Sequence, residues 1–246
     1  MNEQPETLPR IMIAAPVRNR AWVLPRYLRA LEALDYPRDR LLFRWLVNDS
    51  TDGSRQILRY WIRDMQPCNA GVQTLDYGRT ESEYEGTARM AGPRSRAYPI
   101  LAALRNLIRT KALNSGVDYL FSVDTDVIVR PATLRRLLSH GKDVVAALVD
   151  NGHGAHNYME QDPQTGTFFR GPHRVAGPDG LLQVDMTGAC CLYSRRALEA
   201  GTWAAHMTGE DEGFARCMIA AGIDQWVDGG HQVEHVMEVP TPCPVC

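Results

Sequence analysis

Short apolar runs alternate with segments of helical periodicity through the first 150 residues, and this alternation constrains the fold more than any other feature of the sequence. The apolar runs have the length of buried strands, and the segments between them place apolar residues every three or four positions, as on one face of a helix. The pattern predicts strands over 11–16, 41–49, 119–123 and 142–150, and helices over 21–34, 57–65, 100–113 and 131–140. Strands and helices that alternate in this way form an α/β protein with a largely parallel sheet and helices on both faces.

The rest of the chain is less regular. It predicts strands over 165–171 and 188–194, helices over 195–201 and 209–222, and a final strand within 224–236. Residues 69–99 show little periodicity and are predicted to be mostly loop. No linker rich in Pro, Gly or Ser divides the two parts, so we expect a single domain over 1–246.

Composition and charge restrict the partners of such a chain. Apolar residues make up 44% and charged residues 23%, as in an ordinary soluble globule, and no apolar run approaches the ~18 residues of a membrane span. The formal net charge of -2 gives no reason to expect a nucleic-acid or anionic-membrane partner. The start lacks the basic-then-apolar pattern of a signal peptide, and the six cysteines fit a cytosolic chain better than a disulfide framework. We therefore expect a soluble, cytoplasmic protein and leave its oligomeric state open.

Two aspartates directly follow the strand predicted over 119–123. Asp124 and Asp126 stand one residue apart, at the carboxyl end of a strand, where ligands bind in open α/β sheets. Because side chains alternate along an extended backbone, both carboxylates should face one side, with Thr125 turned away. Two carboxylates aimed at one ligand suit Mg²⁺ or Mn²⁺. A turn or a helix cap is the alternative that this short pattern leaves open.

Six motifs in their order along the chain resemble the GT-A glycosyltransferases, most closely those of the family 2 type. They are `AAPVRNR`, `VNDSTDGS`, `LRNLI`, `SVDTDV`, `TGACCLYSRRAL` and `GEDEGF`, and the resemblance runs from about residue 10 to 237. It implies a mixed, mostly parallel sheet with a nucleotide-binding part at about 10–126, an acceptor and catalytic part at about 127–237, and a tail at 238–246. It further implies transfer of a sugar from a nucleotide-diphosphate sugar, a UDP- or GDP-sugar, to an acceptor hydroxyl.

The same resemblance assigns the donor site. Asp126 would be the direct ligand of Mn²⁺ or Mg²⁺ on the diphosphate, Asp124 would face the ribose or the metal shell, and Asp49 would recognise the nucleobase. Residues implied around the donor are Pro16, Arg18, Asn19, Thr125 and Gly188. Arg105 would reach a phosphate or an aspartate, although a solvated arginine on a helix is the alternative. Residues 80–96 are expected to form a mobile loop that closes near the donor, with Arg94 or Arg96 approaching the diphosphate.

The acids of `GEDEGF` are the expected catalytic group. Matched to the family, Asp211 is the general base and Glu210 its neighbour. The alternative register places the pair at Asp211–Glu212. The non-catalytic alternative is that these acids only interact favourably with the helix dipole. The resemblance also implies inversion at the anomeric carbon.

Two histidine pairs are further metal candidates. A late histidine completes the metal shell in several GT-A enzymes, and His235 fits that position better than His231. `HGAH` at 153–156 and the terminal `CPVC` are weak metal patterns, because neither offers a complete set of ligands.

Two other functions compete with a transferase. A sugar-nucleotide pyrophosphorylase would need a glycine-rich loop after the first strand, and `AAPVRNRAW` contains no glycine. A non-catalytic module that binds a sugar nucleotide or glycan on the same fold is the third hypothesis; it would not need Asp211.

Overall fold

The computed structural model describes residues 8–65, 69–79, 97–152, 155–171, 174, 176–177 and 179–237. Its strands are β1 (Ile11–Val17), β2 (Leu41–Asn48), β3 (Asn69–Leu75), β4 (Tyr119–Val123), β5 (Val127–Ile128), β6 (Val144–Val149), β7 (Tyr158–Gln161), β8 (Phe168–Phe169), β9 (Leu181–Val184), β10 (Met186–Thr187), β11 (Cys190–Ser194) and β12 (Gln225–His235). The helices are α1 (Leu24–Glu32), α2 (Ser54–Asp64), α3 (Ala97–Asn114), α4 (Thr133–Ser139), α5 (Arg195–Ala200) and α6 (Asp211–Ala220), with a 3₁₀ turn at Arg38–Arg40.

The main sheet is mixed and mostly parallel. Its strand order is β3-β2-β1-β4-β11-β6-β12-β5, and β9 also pairs with β12. The pairs β1–β2, β2–β3, β1–β4 and β6–β12 are parallel, whereas β11 runs antiparallel to both β4 and β6. A second, antiparallel sheet has the order β10-β7-β8.

Helices cover both faces of the main sheet, because β1 is apolar at every second position on both sides. Ile11, Ile13 and Ala15 pack in one core cluster together with apolar residues of α1, α2 and α4. Met12 and Ala14 pack in a second cluster together with α3, α5 and α6. Strands buried on both faces read as continuous apolar runs, which is why the sequence pattern identified them. The predicted fold class is confirmed.

Several strands were not predicted. Residues 69–75, expected to be loop, form β3, an edge strand that pairs in parallel with β2. Its residues are exposed or half-buried, so its apolar pattern is weak. The strand predicted over 165–171 shortens to Phe168–Phe169, and β5, β7, β9 and β10 were missed. Strands of two to four residues are too short to show a period.

The described part of the chain has no helix long and apolar enough to cross a membrane. The cysteines at 190, 191 and 217 are free thiols.

Candidate active site

An open cleft lies beyond the carboxyl ends of β1, β2 and β4. It has two chambers, and Arg105, Asp124 and Glu210 line both of them. The front chamber, of about 220 Å³, is lined in addition by Pro16, Val17, Arg18, Arg20, Asn48, Leu101, Thr125 and Asp126. The rear chamber, of about 250 Å³, is lined in addition by Tyr98, Asn151, His156, Asn157, Tyr158, Met159, Arg170, Met186, Thr187, Gly188, Ala189, Thr208, Gly209, Asp211 and His235.

Arg105 forms the wall between the chambers. It lies on α3, is 6% exposed, and its Nε donates to Glu210 Oε1 at 2.9 Å. Its Nη2 donates to Asp124 Oδ1 at 3.2 Å and its Nη1 to the hydroxyl of Ser122 at 3.2 Å, while Asp211 Oδ1 lies 3.8 Å from Nε. Arg105 therefore binds aspartate and glutamate, and the solvated alternative is wrong. Its positive charge offsets the mutual repulsion of three carboxylates held close together.

The two aspartates after β4 both border the front chamber, as expected, but the backbone between them is not extended. The chain turns immediately, since Val127 N–H donates to Asp124 C=O at 2.9 Å, so the extended backbone assumed from the sequence is wrong here. Asp124 is bound to Arg105 and borders both chambers, whereas Asp126 borders only the front one. Thr125 is not turned away from the site: it is buried and lines the front chamber. Burial raises the pKa of Asp124, Arg105 opposes this shift, and the charges of Asp126 and Glu210 add to it.

Asp126 pairs with His235, which lies at the end of β12. Asp126 Oδ1 is 3.7 Å from His235 Nε2, and Asp126 Oδ2 accepts a hydrogen bond from Arg20 Nη2 at 3.1 Å. Two donors bound to one hard divalent cation at about 2.1 Å stand at most about 4.2 Å apart, so this pair fits a shared cation. His235 Nδ1 is buried and has no hydrogen-bond partner among the described residues, so no such bond holds the ring elsewhere.

A complete protein-made metal site is not present in the described ranges, where no three His, Cys, Asp or Glu side chains are grouped so that they could hold a metal ion. Asp124, expected as a second carboxylate ligand, has one oxygen bound to Arg105 instead. His231 lines neither chamber, and its Nε2 hydrogen-bonds to Thr133 Oγ1 at 2.8 Å. A site with two protein donors is ordinary for Mg²⁺, which keeps water and substrate phosphate in its other positions.

Asp211, the first residue of α6, lines the rear chamber. Its Oδ1 accepts a hydrogen bond from Trp203 Nε1 at 3.0 Å. A Cβ added at Gly188 would lie 2.3 Å from Asp211 Oδ2, so only glycine allows the chain to pass this close to the carboxylate. Burial raises the pKa of Asp211 to about 7; Arg105 opposes the shift, and the charges of Glu210 and Asp124 add to it.

The other two acids of `GEDEGF` have different surroundings. Glu210 is 7% exposed and bound to Arg105, on the wall between the chambers. Glu212 lines neither chamber: it accepts hydrogen bonds from Thr208 and from Arg216 Nε and Nη2, at 2.7 to 3.1 Å. Geometry therefore favours Asp211 over Glu212 for chemistry in the cleft.

Four of the residues expected at the nucleobase or around the donor separate into two groups. Pro16 and Arg18 line the front chamber. Asn19 and Asp49 stand outside its lining: Asn19 Oδ1 accepts from Thr51 N–H at 2.9 Å, and Asp49 Oδ1 accepts from Tyr77 N–H at 2.7 Å. Both have a positive φ, of 47° and 43°, which marks strained backbone beside the cleft.

Sequence reasoning missed several residues of the site. Asn157 fixes the Gly188 segment, since its Nδ2 donates to Gly188 C=O and Ala147 C=O at 2.9 Å. Trp203 and Arg20 contact Asp211 and Asp126, as described above. Asn157 and Trp203 stand in none of the quoted motifs. Arg20 is the last residue of `AAPVRNR`, and its positive charge within that motif was the available signal.

Some predicted features lie outside the described residues. These are the loop 80–96 with Arg94 and Arg96, the `CPVC` at 243–246, and the first two residues of `HGAH`. His156, the last residue of `HGAH`, lines the rear chamber and stacks on Tyr158 with ring centroids 5.9 Å apart.

A mixed sheet with this strand order and a cleft at its carboxyl edge defines the GT-A class of glycosyltransferase fold, and solved structures agree. One is GalNAc-T7 with UDP, GalNAc and Mn²⁺, at TM-score 0.66 and 15% identity over 96% of this chain and 45% of that one. Another is a mannosyltransferase from Pyrobaculum calidifontis with GDP-Man and Mn²⁺, at TM-score 0.58 and 15% identity over 94% and 58%. A third is S. aureus TarS with UDP-GlcNAc, at TM-score 0.56 and 15% identity over 94% and 57%.

The chain belongs to glycosyltransferase family 25, whose N-terminal domain model matches residues 8–162. The GT-A resemblance is thereby confirmed, with family 25 as the particular family. Human inactive glycosyltransferase 25 family member 3 is 32% identical over 197 residues, covering 77% of this chain and 33% of that protein. Human procollagen galactosyltransferase 2 is 28% identical over 150 residues, covering 61% of this chain and 24% of that protein. The chain thus spans a third or less of the length of these two relatives.

Proposed function

We propose that this chain transfers a sugar from a UDP- or GDP-sugar to an acceptor hydroxyl, with inversion at the anomeric carbon. The observation that carries the proposal is Asp211, a carboxylate on the rear chamber with a pKa of about 7. A general base works best when its pKa lies near the operating pH. Since relatives are named procollagen galactosyltransferases, UDP-galactose is the first donor to test.

In the proposed reaction Asp211 Oδ2 takes the proton of the acceptor hydroxyl. The acceptor oxygen, entering from the rear chamber, uses its electron pair to form the new bond to the anomeric carbon. The bond from that carbon to the diphosphate oxygen breaks, and its electron pair leaves with the nucleoside diphosphate. Attack on the face opposite the leaving group inverts the configuration.

The front chamber is proposed to receive the nucleotide. Asp126 and His235 would hold Mn²⁺ or Mg²⁺, which neutralises the negative charge that develops on the leaving diphosphate. Arg18 and Arg20 line the same chamber and add positive charge beside it. Arg105 binds one oxygen of Asp124 and one of Glu210, so that these two carboxylates are less available as a base than Asp211.

A non-catalytic sugar-nucleotide module is the second candidate. It is favoured by the human and bovine relatives whose names describe them as inactive or probably inactive. It would bind the nucleotide sugar in the front chamber without turnover. A pyrophosphorylase has no comparable support, since the matched family is one of glycosyltransferases.

Release of nucleoside diphosphate from UDP-galactose, UDP-GlcNAc and GDP-mannose, with Mn²⁺ and with hydroxyl-bearing acceptors, tests the proposal. The matched pair of variants is Asp211→Asn and Glu212→Gln, two acids in the same helical turn of which only the first faces the cleft. We expect Asp211→Asn to lower turnover about 10²–10⁴-fold with unchanged donor affinity, and Glu212→Gln to leave turnover within about threefold. Donor binding without turnover in the wild type would support the non-catalytic candidate. Turnover that survives in Asp211→Asn would remove the base from this residue.

A further inference from the structure

Trp203 lies in the segment between α5 and α6 and belongs to no motif of the sequence. Its side chain is almost fully buried, since the residue is 3% exposed, and it lines neither chamber. Its indole N–H nevertheless reaches the site, donating to Asp211 Oδ1 at 3.0 Å. An indole N–H can only donate, so this contact is favourable to the ionised carboxylate.

The backbone of Trp203 is held by one side chain of α3. Asn106 Oδ1 accepts from Trp203 N–H at 2.9 Å, and Asn106 Nδ2 donates to Trp203 C=O at 2.8 Å. Asn106 directly follows Arg105, so a single helix carries the residue that holds Trp203 and the residue that separates the chambers. The position of the indole is therefore coupled to the position of the charge cluster.

The indole ring is held by two aromatic neighbours. It stacks on Phe214, with ring centroids 4.2 Å apart and an interplanar angle of 25°, and meets Tyr193 edge-on, with centroids 5.4 Å apart. Phe214 stands three residues after Asp211 on α6, so both side chains lie on the same side of the helix. The donor and the acceptor of the hydrogen bond are consequently built on one rigid cluster.

Such a donor fixes the rotation of the carboxylate. With Oδ1 held by Trp203, Oδ2 is turned toward Gly188, where a Cβ would lie only 2.3 Å away. A general base must stand within about 2.6–3.2 Å of the proton that it removes, and a displacement of about 1 Å can cost about 10²-fold in rate.

We infer that Trp203 is a positioning residue of the transfer reaction: its indole N–H holds Asp211 Oδ1, so that Oδ2 is the oxygen that accepts the proton. This inference rests on the proposed role of Asp211. Trp203 touches neither donor nor acceptor and acts only through the carboxylate.

Other charges face Asp211 and would contribute to any pH profile. Arg105 approaches from α3 and Glu210 from the preceding position, and Asp124 acts from the end of β4. Tyr193 and Cys191 of β11 also lie within electrostatic range, but burial raises the pKa of each far above the neutral range, so both stay uncharged. The variants used below leave all of these groups in place.

The first experiment needs no turnover. The indole ¹H–¹⁵N resonance of Trp203, assigned by its loss in Trp203→Phe, is followed from pH 5 to pH 9 in the full chain. We expect it to shift with a midpoint near 7 in the wild type and to remain constant in Asp211→Asn. A resonance that does not respond to pH in the wild type, or that responds equally in Asp211→Asn, overturns the inference.

The second experiment measures kcat and KM with the donor found active in the panel. Trp203→Phe keeps an aromatic ring but removes the donor; Phe214→Leu loosens the same cluster and keeps the N–H. We expect Trp203→Phe to lower kcat about 10–100-fold, with KM for the donor within about twofold, and to move the acidic limb of the kcat profile to higher pH. Phe214→Leu should leave that limb where it is. A Trp203→Phe enzyme with wild-type kcat and an unmoved limb overturns the inference.

If Trp203→Phe does not fold, Asn106→Ala is the alternative variant, because it releases the backbone of Trp203 and keeps the indole intact. It should lower kcat in the same way. An unchanged kcat would count against the inference. The Trp203 resonance could follow the titration of Asp211 although no donor is turned over. In that case the proposed function fails, and the positioning role of Trp203 fails with it, while the contact between the two residues stands. The two failures are thereby distinguished.

Discussion

Replacing Asp211 by asparagine should make the folded protein more stable at pH 8 while it removes the proposed base. The reason is the cost of keeping this carboxylate ionised in its buried position. Its pKa rises from 3.8 to about 7, first because of burial and then because of the nearby negative charges of Glu210 and Asp124, although Arg105 opposes the change. Asparagine has no charge to desolvate, and its side-chain oxygen can still accept the hydrogen bond from Trp203.

The sign follows from proton counting. Between pH 4 and pH 7 the folded protein keeps a proton on Asp211 that the unfolded chain has lost, so the free energy of unfolding falls as pH rises through this window and levels off above it. A shift of about three pKa units, at ~1.4 kcal/mol per unit, corresponds to an upper limit of about 4 kcal/mol. Because the side chain is 24% exposed, we expect a gain of about 1–3 kcal/mol for Asp211→Asn at pH 8. The gain should be close to zero at pH 4.

Urea denaturation of both proteins at pH 4, 6 and 8 measures the effect as a change in midpoint at constant slope. Glu212→Gln provides a control of opposite sign. Burial acts against the charge of Glu212, but hydrogen bonds from Arg216 and Thr208 outweigh it and lower its pKa, so that its contribution is present above pH 4.5 and lost on acidification. Glu212→Gln should therefore destabilise the protein at pH 8. If Asp211→Asn is less stable than the wild type at pH 8, or its effect does not vary with pH, the account of Asp211 is wrong.

Three further predictions concern the rest of the site. Asp126→Ala should abolish the part of UDP or GDP binding that depends on Mn²⁺ while the fold survives. Calorimetry with and without EDTA measures the binding, and a circular-dichroism melt checks the fold. Equal affinity with and without EDTA in the wild type would contradict the metal role. His235→Ala should weaken Mn²⁺ binding about 10–100-fold in the presence of UDP, because it removes one of two protein donors, whereas His231→Ala, which alters a histidine outside the cleft, should not change it. Gly188→Ala should lower kcat at least about tenfold with little change in donor affinity, since the new methyl group meets Asp211 Oδ2; an active Gly188→Ala enzyme would show that the carboxylate moves freely.

The elements of the first half of the chain were predictable because each strand and helix buries its own apolar residues. β1, predicted over 11–16, is observed at Ile11–Val17, and the strand expected at 41–49 is Leu41–Asn48. The edge strand β3 was not predictable in this way, since it pairs with β2 but has no fully buried residue to produce a strong apolar pattern. The antiparallel placement of β11 between β4 and β6 likewise has no local signal.

The sequence by itself determined the α/β class, and its motifs predicted three candidate acids, Asp124, Asp126 and Asp211. Only the tertiary structure decided which chamber each of these acids lines and which charged residues surround it. Arg105 reaches Glu210 across 105 positions of sequence, and Arg20 reaches Asp126 across 106. The pKa of Asp211 is set by burial and by charges from such distant segments, so no local pattern could reveal it. Electrostatic energies depend on distance and on exclusion of water in three dimensions, and both are fixed only when the strands and helices pack together.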